Sequence, residues 1–240
     1  MKKRNLICII VIAVIVTVAA ILGVIMYAKS QTTDDIEAYY NQKCSTFAEE
    51  NLDCLKGQIV FLGDSITDGY PLKDYYSDLP LEVYNRGIGG DSTGGVIKRL
   101  EVSVFDIAPS KIVLLIGIND INGGVSTETL IKNYDKILSL IKEKLPDTEI
   151  YCMSILPLNK DVEAYTTIDV DKSHKKIGEI NQKIANLATK YSYEFVDMHD
   201  DFTDENGYLS KDLSIDGIHL SADGYALWTE KVKPILKEND

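Results

Sequence analysis

The sequence is poor in the residues that three common kinds of chemistry need. It has four cysteines, none of them spaced as CxxC, so nothing supports a zinc site of that type. Its one glycine-rich stretch, Asn85-Arg86-Gly87-Ile88-Gly89-Gly90-Asp91-Ser92-Thr93, has neither the GxxxxGK[ST] spacing of a P-loop nor GxGxxG. Basic residues are scarce as well. The net charge is −12, and the first 28 residues hold three basic and no acidic side chains. That leaves 22 Lys and Arg against 37 Asp and Glu, a net −15, in residues 29–240. Such a domain is repelled by nucleic acid and by anionic lipid surfaces, and the acidic surface keeps it soluble. Internal repeats and low-complexity segments are missing too. The acidic run Asp200–Asp212 fails as an EF-hand. With Gly207 at the sixth position, Phe202 and Leu213 fall on the first and twelfth, where oxygen ligands are required, so the run is a solvated loop. No metal or organic cofactor is expected.

What the chain does have is apolar residues, 45% of the total, enough for one core without disulfides or metals. Lys2, Lys3 and Arg4 precede an uncharged run from Leu6 to Ala28. As a helix this run is about 35 Å long at roughly 1.5 Å per residue, more than the ~30 Å hydrocarbon core of a bilayer. A cleaved signal peptide has a shorter apolar region, about 7–15 residues, and Met26-Tyr27-Ala28 is a poor cleavage site. The expectation is therefore a basic cytoplasmic tail (1–5), a single-pass transmembrane signal-anchor (6–28), a juxtamembrane segment with a lead-in helix (29–55) and an extracellular domain (56–240). Secretion after cleavage is the alternative. Cys8 lies in the apolar run, and Cys152 is expected as a buried thiol. Cys44 and Cys54 stand in the region expected outside the cell, where a disulfide is possible if their geometry permits it.

Strand patterns at 58–62, 82–85, 111–116, 149–155 and 194–198 alternate with helical patterns near 92–105, 127–145, 172–191 and 222–237. A further helical pattern covers 36–52. Strands alternating with helices predict βαβ units and a parallel sheet covered on both faces. In such a sheet, ligands bind beyond the carboxyl ends of the strands, so reactive residues should follow the strands directly.

They do. Gly63-Asp64-Ser65-Ile66-Thr67 follows the first strand, and a serine beside a glycine at a strand end can be held on a tight turn; Asp, Ser and Thr there also serve as helix caps. The glycine loop follows the second strand, where its N–H groups can approach a ligand and Asp91-Ser92-Thr93 can cap the next helix. Gly117-Ile118-Asn119-Asp120 follows the third strand at the sheet edge and reads either as a donor asparagine or as a turn-forming pair. Asp216-Gly217-Ile218-His219 stands before the last helix, with the carboxylate three residues ahead of the imidazole. Among the three histidines, His174 is expected to face solvent, and His199 is a rival base. Nucleophile, oxyanion loop, donor asparagine and Asp–His pair together are the parts for acyl transfer.

These blocks, in this order, resemble the SGNH hydrolase superfamily, the GDSL-like lipases or acylhydrolases, over residues 58–225. The string NRGIGGDST is closest to the platelet-activating-factor acetylhydrolase-like branch. The first block reads GDSI rather than GDSL, and the N-terminal anchor is no part of the family pattern. The resemblance implies a three-layer α/β/α flavodoxin-like sandwich around a parallel sheet of about five strands. It implies a catalytic triad of Ser65, Asp216 and His219, and an oxyanion hole of the Ser65 and Gly90 N–H groups with the Asn119 side chain. The expected activity is hydrolysis of acetyl or another short acyl group from a glycan or lipid ester through an acyl-enzyme. The alternatives are a membrane-anchored O-acyltransferase using the same triad and a catalytically silent binding module. The stretch 157–171 is expected as a loop near the site.

Overall fold

The computed structural model describes residues 35–164 and 166–237. The expected cytoplasmic tail and membrane span, with Cys8, lie outside the described residues. Among the described residues no helix is long and apolar enough to cross a membrane. The chain divides into two units, Met1–Gln42 and Lys43–Asp240. Of the first, residues 35–42 are described and are helical. The second carries the chemistry.

Five parallel strands, β1 (Ile59–Gly63), β2 (Val83–Gly87), β3 (Lys111–Leu115), β4 (Glu149–Met153) and β5 (Glu194–Val196), form one sheet in the order β2-β1-β3-β4-β5. Strand side chains alternate between two buried faces. Val60, Leu62, Ile112, Leu114, Ile150 and Cys152 join one core, while Ile59, Phe61, Val113, Leu115, Tyr151 and Met153 join the other. Burial on both faces is why these strands read as continuous apolar runs. Residues 43–50 are helical and are called α1. The first core is covered by α4 (Thr93–Leu100), α6 (Thr127–Lys144) and α7 (Val170–Tyr191); the second by α2 (Ser65–Asp68), α3 (Leu72–Tyr76) and α8 (Ala222–Lys237). One further helical turn, α5 (Ile118–Asn122), follows β3. Helix α4 runs on into a π turn, Glu101–Phe105, closed by the Asp106 N–H donating to the Glu101 carbonyl at 2.9 Å.

The register fixes the site. Gly63 at the end of β1 pairs with Gly87 of β2 and with Leu115 of β3. Three strands therefore end at one level, and the chain leaves them toward Ser65, Gly90 and Asn119 side by side. The strand order reverses at β1, which places this cluster at the topological switch point.

Several details differ from the sequence reading. β2 runs on through Asn85, Arg86 and Gly87, so the loop after it is shorter than the sequence indicates. The turns α2 and α5 are helical where loops were expected, and α3 is a further helical turn. β3 lies in the middle of the sheet, and Asn119 stands just beyond its carboxyl end. Cys44 and Cys54 are not bridged; Cys44 lies on α1, and the Cys54 sulfur accepts from the Arg86 guanidinium at 3.4 Å. Cys152 is a buried thiol, pushed up to about 12 by burial against a lowering contact from Tyr134.

Candidate active site

Ser65 is the first residue of α2, and the Asp64 carboxylate caps that turn by accepting the Ile66 N–H at 3.1 Å. Helix cap and a half-buried serine held on a tight turn, which the sequence offers as alternatives, are thus both present. Four contacts hold the turn. Asn85 Nδ2 donates to the Thr67 carbonyl at 2.7 Å. The Asp68 carboxylate accepts Lys43 Nζ at 2.8 Å and the Gly89 N–H at 3.1 Å. The Tyr225 hydroxyl donates to the Ile66 carbonyl at 2.8 Å from α8.

His219 reaches the serine from the opposite side. Its Nε2 lies 2.9 Å from Ser65 Oγ, and its Nδ1 lies 2.6 Å from Asp216 Oδ2. Asp216 Oδ1 accepts the N–H groups of Ile218 at 3.0 Å and His219 at 2.8 Å, so one carboxylate shapes the turn and orients the ring. Burial acts to raise the Asp216 carboxyl, but the bonds from the His219 side chain and backbone and from Ile218 outweigh it and hold the group below the usual range. Gly217 has φ +88°, which lets the chain double back within this turn. The Asn159 N–H, from the stretch after β4, donates to the Gly217 carbonyl at 2.8 Å. The 157–171 stretch does reach the site, and part of it (Lys160–Ala164) is a 3-10 turn.

The other two loops supply donors. Gly90 has φ +75°, and Ser92 Oγ caps α4 by accepting the Gly95 N–H at 3.3 Å. Asn119 Nδ2 donates to the Asp91 carbonyl at 2.8 Å, which fixes the amide and leaves its second N–H for another acceptor. Asp120 is turned inward and accepts the Thr93 N–H at 2.8 Å and the Thr93 hydroxyl at 2.6 Å, joining the two loops. A cavity of about 10 Å³ lies against Asp64, Ile66, Ile118, Ile155, Pro157 and Ile218, and nearly all of its lining is apolar. It has room for about one water-sized group.

The remaining histidines stand elsewhere. His199 Nδ1 faces Asp200 Oδ1 at 3.2 Å. His174 is half-buried rather than solvent-facing: its Nε2 accepts the Leu158 N–H at 2.8 Å, and burial leads in drawing its pKa down. The acidic loop is folded on itself, with Asp204 Oδ1 accepting the N–H groups of Asn206 at 2.9 Å and Tyr208 at 3.0 Å. The supporting residues Asp68, Asn85, Arg99, Asp120 and Tyr225 escape the sequence reading. Only Arg99 carries a signal there, as a cation on the helical stripe with Val96 and Leu100.

A hydroxyl, an imidazole and a carboxylate in a chain of short hydrogen bonds can activate the oxygen as a nucleophile. Comparison with known proteins agrees with that chemistry. Residues 61–227 match the GDSL-like Lipase/Acylhydrolase family. The chain is 29% identical over 171 residues to the Bos taurus platelet-activating factor acetylhydrolase IB subunit alpha1, covering 70% of each. A solved Streptococcus pneumonia protein described as a platelet activating factor is 31% identical, with a TM-score of 0.80 over 87% of this chain and 98% of that one. A GDSL-like lipase from Bacteroides thetaiotaomicron shares the fold at 21% identity, with a TM-score of 0.72 over 81% of this chain and 97% of its own. The chain belongs to the GDSL-like lipase/acylhydrolase family and is a hydrolase.

Proposed function

We propose that the chain is a serine esterase that removes acetyl or another short acyl group from a glycan or lipid ester through an acyl-enzyme on Ser65. The observation that carries this reading is the hydrogen-bonded chain Ser65 Oγ–His219–Asp216, at 2.9 and 2.6 Å. In the first step His219 Nε2 takes the Ser65 proton as Oγ attacks the ester carbonyl. Asp216, ionised well into the acid range, orients the ring and stabilises its protonated form. The oxyanion is held by the N–H groups of Ser65 and Gly90 and by the free N–H of the Asn119 amide. The protonated His219 then gives its proton to the leaving alcohol. In the second step His219 deprotonates water, which releases the acid and regenerates Ser65.

The small apolar cavity lies next to the triad, against Asp64, Ile66 and Ile218, and its size agrees with a short acyl group bound beside it. The acetylhydrolase names of the relatives point the same way. A p-nitrophenyl ester panel from acetyl to long chain tests it. The expected result is the highest kcat/KM on acetyl and a fall of about tenfold or more by medium chain length, since close-packed walls resist extra methylenes. A preference for long chains contradicts the short-acyl reading. We further place the enzyme on the outer face of the membrane, on the strength of the basic triplet and the uncharged run 6–28. Expressed in full, the chain should sediment with membranes and be open to protease added outside intact cells. Recovery in the soluble cytoplasmic fraction would contradict that placement.

A further inference from the structure

Beneath the site lies a buried ion pair that no step above uses. Arg99 stands on α4 beside buried Val96 and Leu100, at a position where helical spacing calls for an apolar side chain. Its side chain is 1% exposed, and that of its partner Asp91 is 2% exposed. Nε donates to Asp91 Oδ2 at 2.7 Å, and Nη2 donates to the Gly63 carbonyl at 2.8 Å. Nη1 donates to the Arg86 carbonyl at 2.8 Å and to Ser103 Oγ at 3.0 Å.

The acceptors matter because of where they lie. Gly63 ends β1 and leads into Asp64 and Ser65. Arg86 stands at the end of β2 and leads into the glycine loop. Asp91 follows Gly90 directly. One planar guanidinium with a fixed fork of donors thus spans the two segments whose N–H groups face the reacting carbonyl. The same segments meet again where the Ile88 N–H donates to the Gly63 carbonyl at 3.2 Å. The Asp91 carbonyl, on the residue that Arg99 anchors, orients the Asn119 amide.

As a source of stability the pair is a poor device. Desolvation of two buried charges offsets much of their attraction, and apolar side chains of similar volume often serve as well. An apolar side chain cannot, however, hold two carbonyls and a carboxylate at set distances and angles. We propose that Arg99 is a positioning residue for the oxyanion site. Through Gly63 and Asp91 it sets the spacing of the Ser65 and Gly90 N–H groups, so that both reach one oxygen. The proposal rests on the serine esterase reading and on those two donors. Arg99 touches no reacting atom and acts only through the two loops.

The test uses the full chain with Arg99→Lys, which keeps the charge and loses the fork, and Asp91→Asn, which keeps the shape and loses the charge. Val232→Ala, a buried α8 side chain that makes none of these hydrogen bonds, serves as a stability control. The readouts are kcat, KM, melting temperature and inhibition by phenylboronic acid, whose tetrahedral serine adduct places an oxygen among the oxyanion donors. For Arg99→Lys kcat should fall on the order of 100-fold, the size of losing an oxyanion donor, with KM within about threefold. Boronate affinity should fall in proportion to kcat/KM. Asp91→Asn should follow in the same direction by about tenfold, and Val232→Ala should leave kcat within about twofold. Folded Arg99→Lys with kcat and boronate affinity within about threefold of the parent overturns the proposal. If that variant does not fold, the same outcome for Asp91→Asn overturns it. A loss in Arg99→Lys that Val232→Ala reproduces at equal melting temperature also overturns it. Turnover retained by Ser65→Ala would instead remove the serine reading itself, a separate failure.

Discussion

Asp64 shows how closely structure and chemistry are joined at single residues here. It is 1% exposed; Oδ1 accepts the Ile66 N–H, and Oδ2 has no hydrogen-bond partner among the described residues. Burial pushes its carboxyl from an ordinary 3.8 up to about 7, against the lowering bond from Ile66 and with a further rise from nearby Asp91. The folded chain therefore holds this proton more tightly than the unfolded chain. The resulting stability is complete below 3.8 and is lost as pH rises toward 7. Asp64→Asn keeps the capping oxygen and removes the titration. Its melting temperature relative to the parent should rise between pH 5 and pH 8, by the equivalent of a few kcal/mol at most. A difference that stays flat across that range, in thermal melts at both pH values, contradicts the raised carboxyl.

At the scale of elements, the decisive pieces are very short. The five strands and the long helices α6, α7 and α8 are legible in the sequence because period-2 and period-3.6 patterns run through them. The turns α2, α3 and α5 have four or five residues each, too few to show a period, and two of them carry Ser65 and Asn119. The motif residues could still be picked out by residue type and by their place after a strand. Their supports could not, since Asp68, Asn85 and Asp120 act through partners distant in sequence. Spacing alone also left the Cys44–Cys54 bridge open, and in the structure the two are not bridged. The Asp216–His219 turn depends on backbone conformation in the same way. At Gly217, with φ +88°, a Cβ would lie 3.0 Å from the Asn159 carbonyl oxygen and from the Val162 nitrogen. Gly124, at φ +77°, has nothing within 4 Å of its Cβ position. Gly217→Ala should cost about 1–3 kcal/mol and lower kcat at least about tenfold, because the turn that carries His219 must shift. Gly124→Ala bears only the backbone strain and should leave kcat near the parent. Equal kcat values for the two variants, measured beside denaturant melts, would show that the turn does not set the imidazole.

The molecule as a whole is a frame for three strand ends held at one level. Two apolar cores clamp the sheet from opposite faces, so the pairings Gly63–Gly87 and Gly63–Leu115 are fixed by packing on both sides. The loops that leave those ends are tied to one another through Asp68–Gly89, Thr93–Asp120 and Asn119–Asp91. α8 adds the Tyr225–Ile66 bond on the face it shares with α2. The acidic surface and the buried frame are separate properties: one governs solubility and partners, the other places reactive atoms within hydrogen-bond reach. In the proposed reaction this frame presents Ser65 as the nucleophile. A fluorophosphonate probe followed by peptide mass mapping tests that most directly. The expected result is one adduct, on Ser65, absent in Ser65→Ala and strongly slowed in His219→Ala. An adduct on any other residue, or undiminished ester turnover by Ser65→Ala, would contradict it.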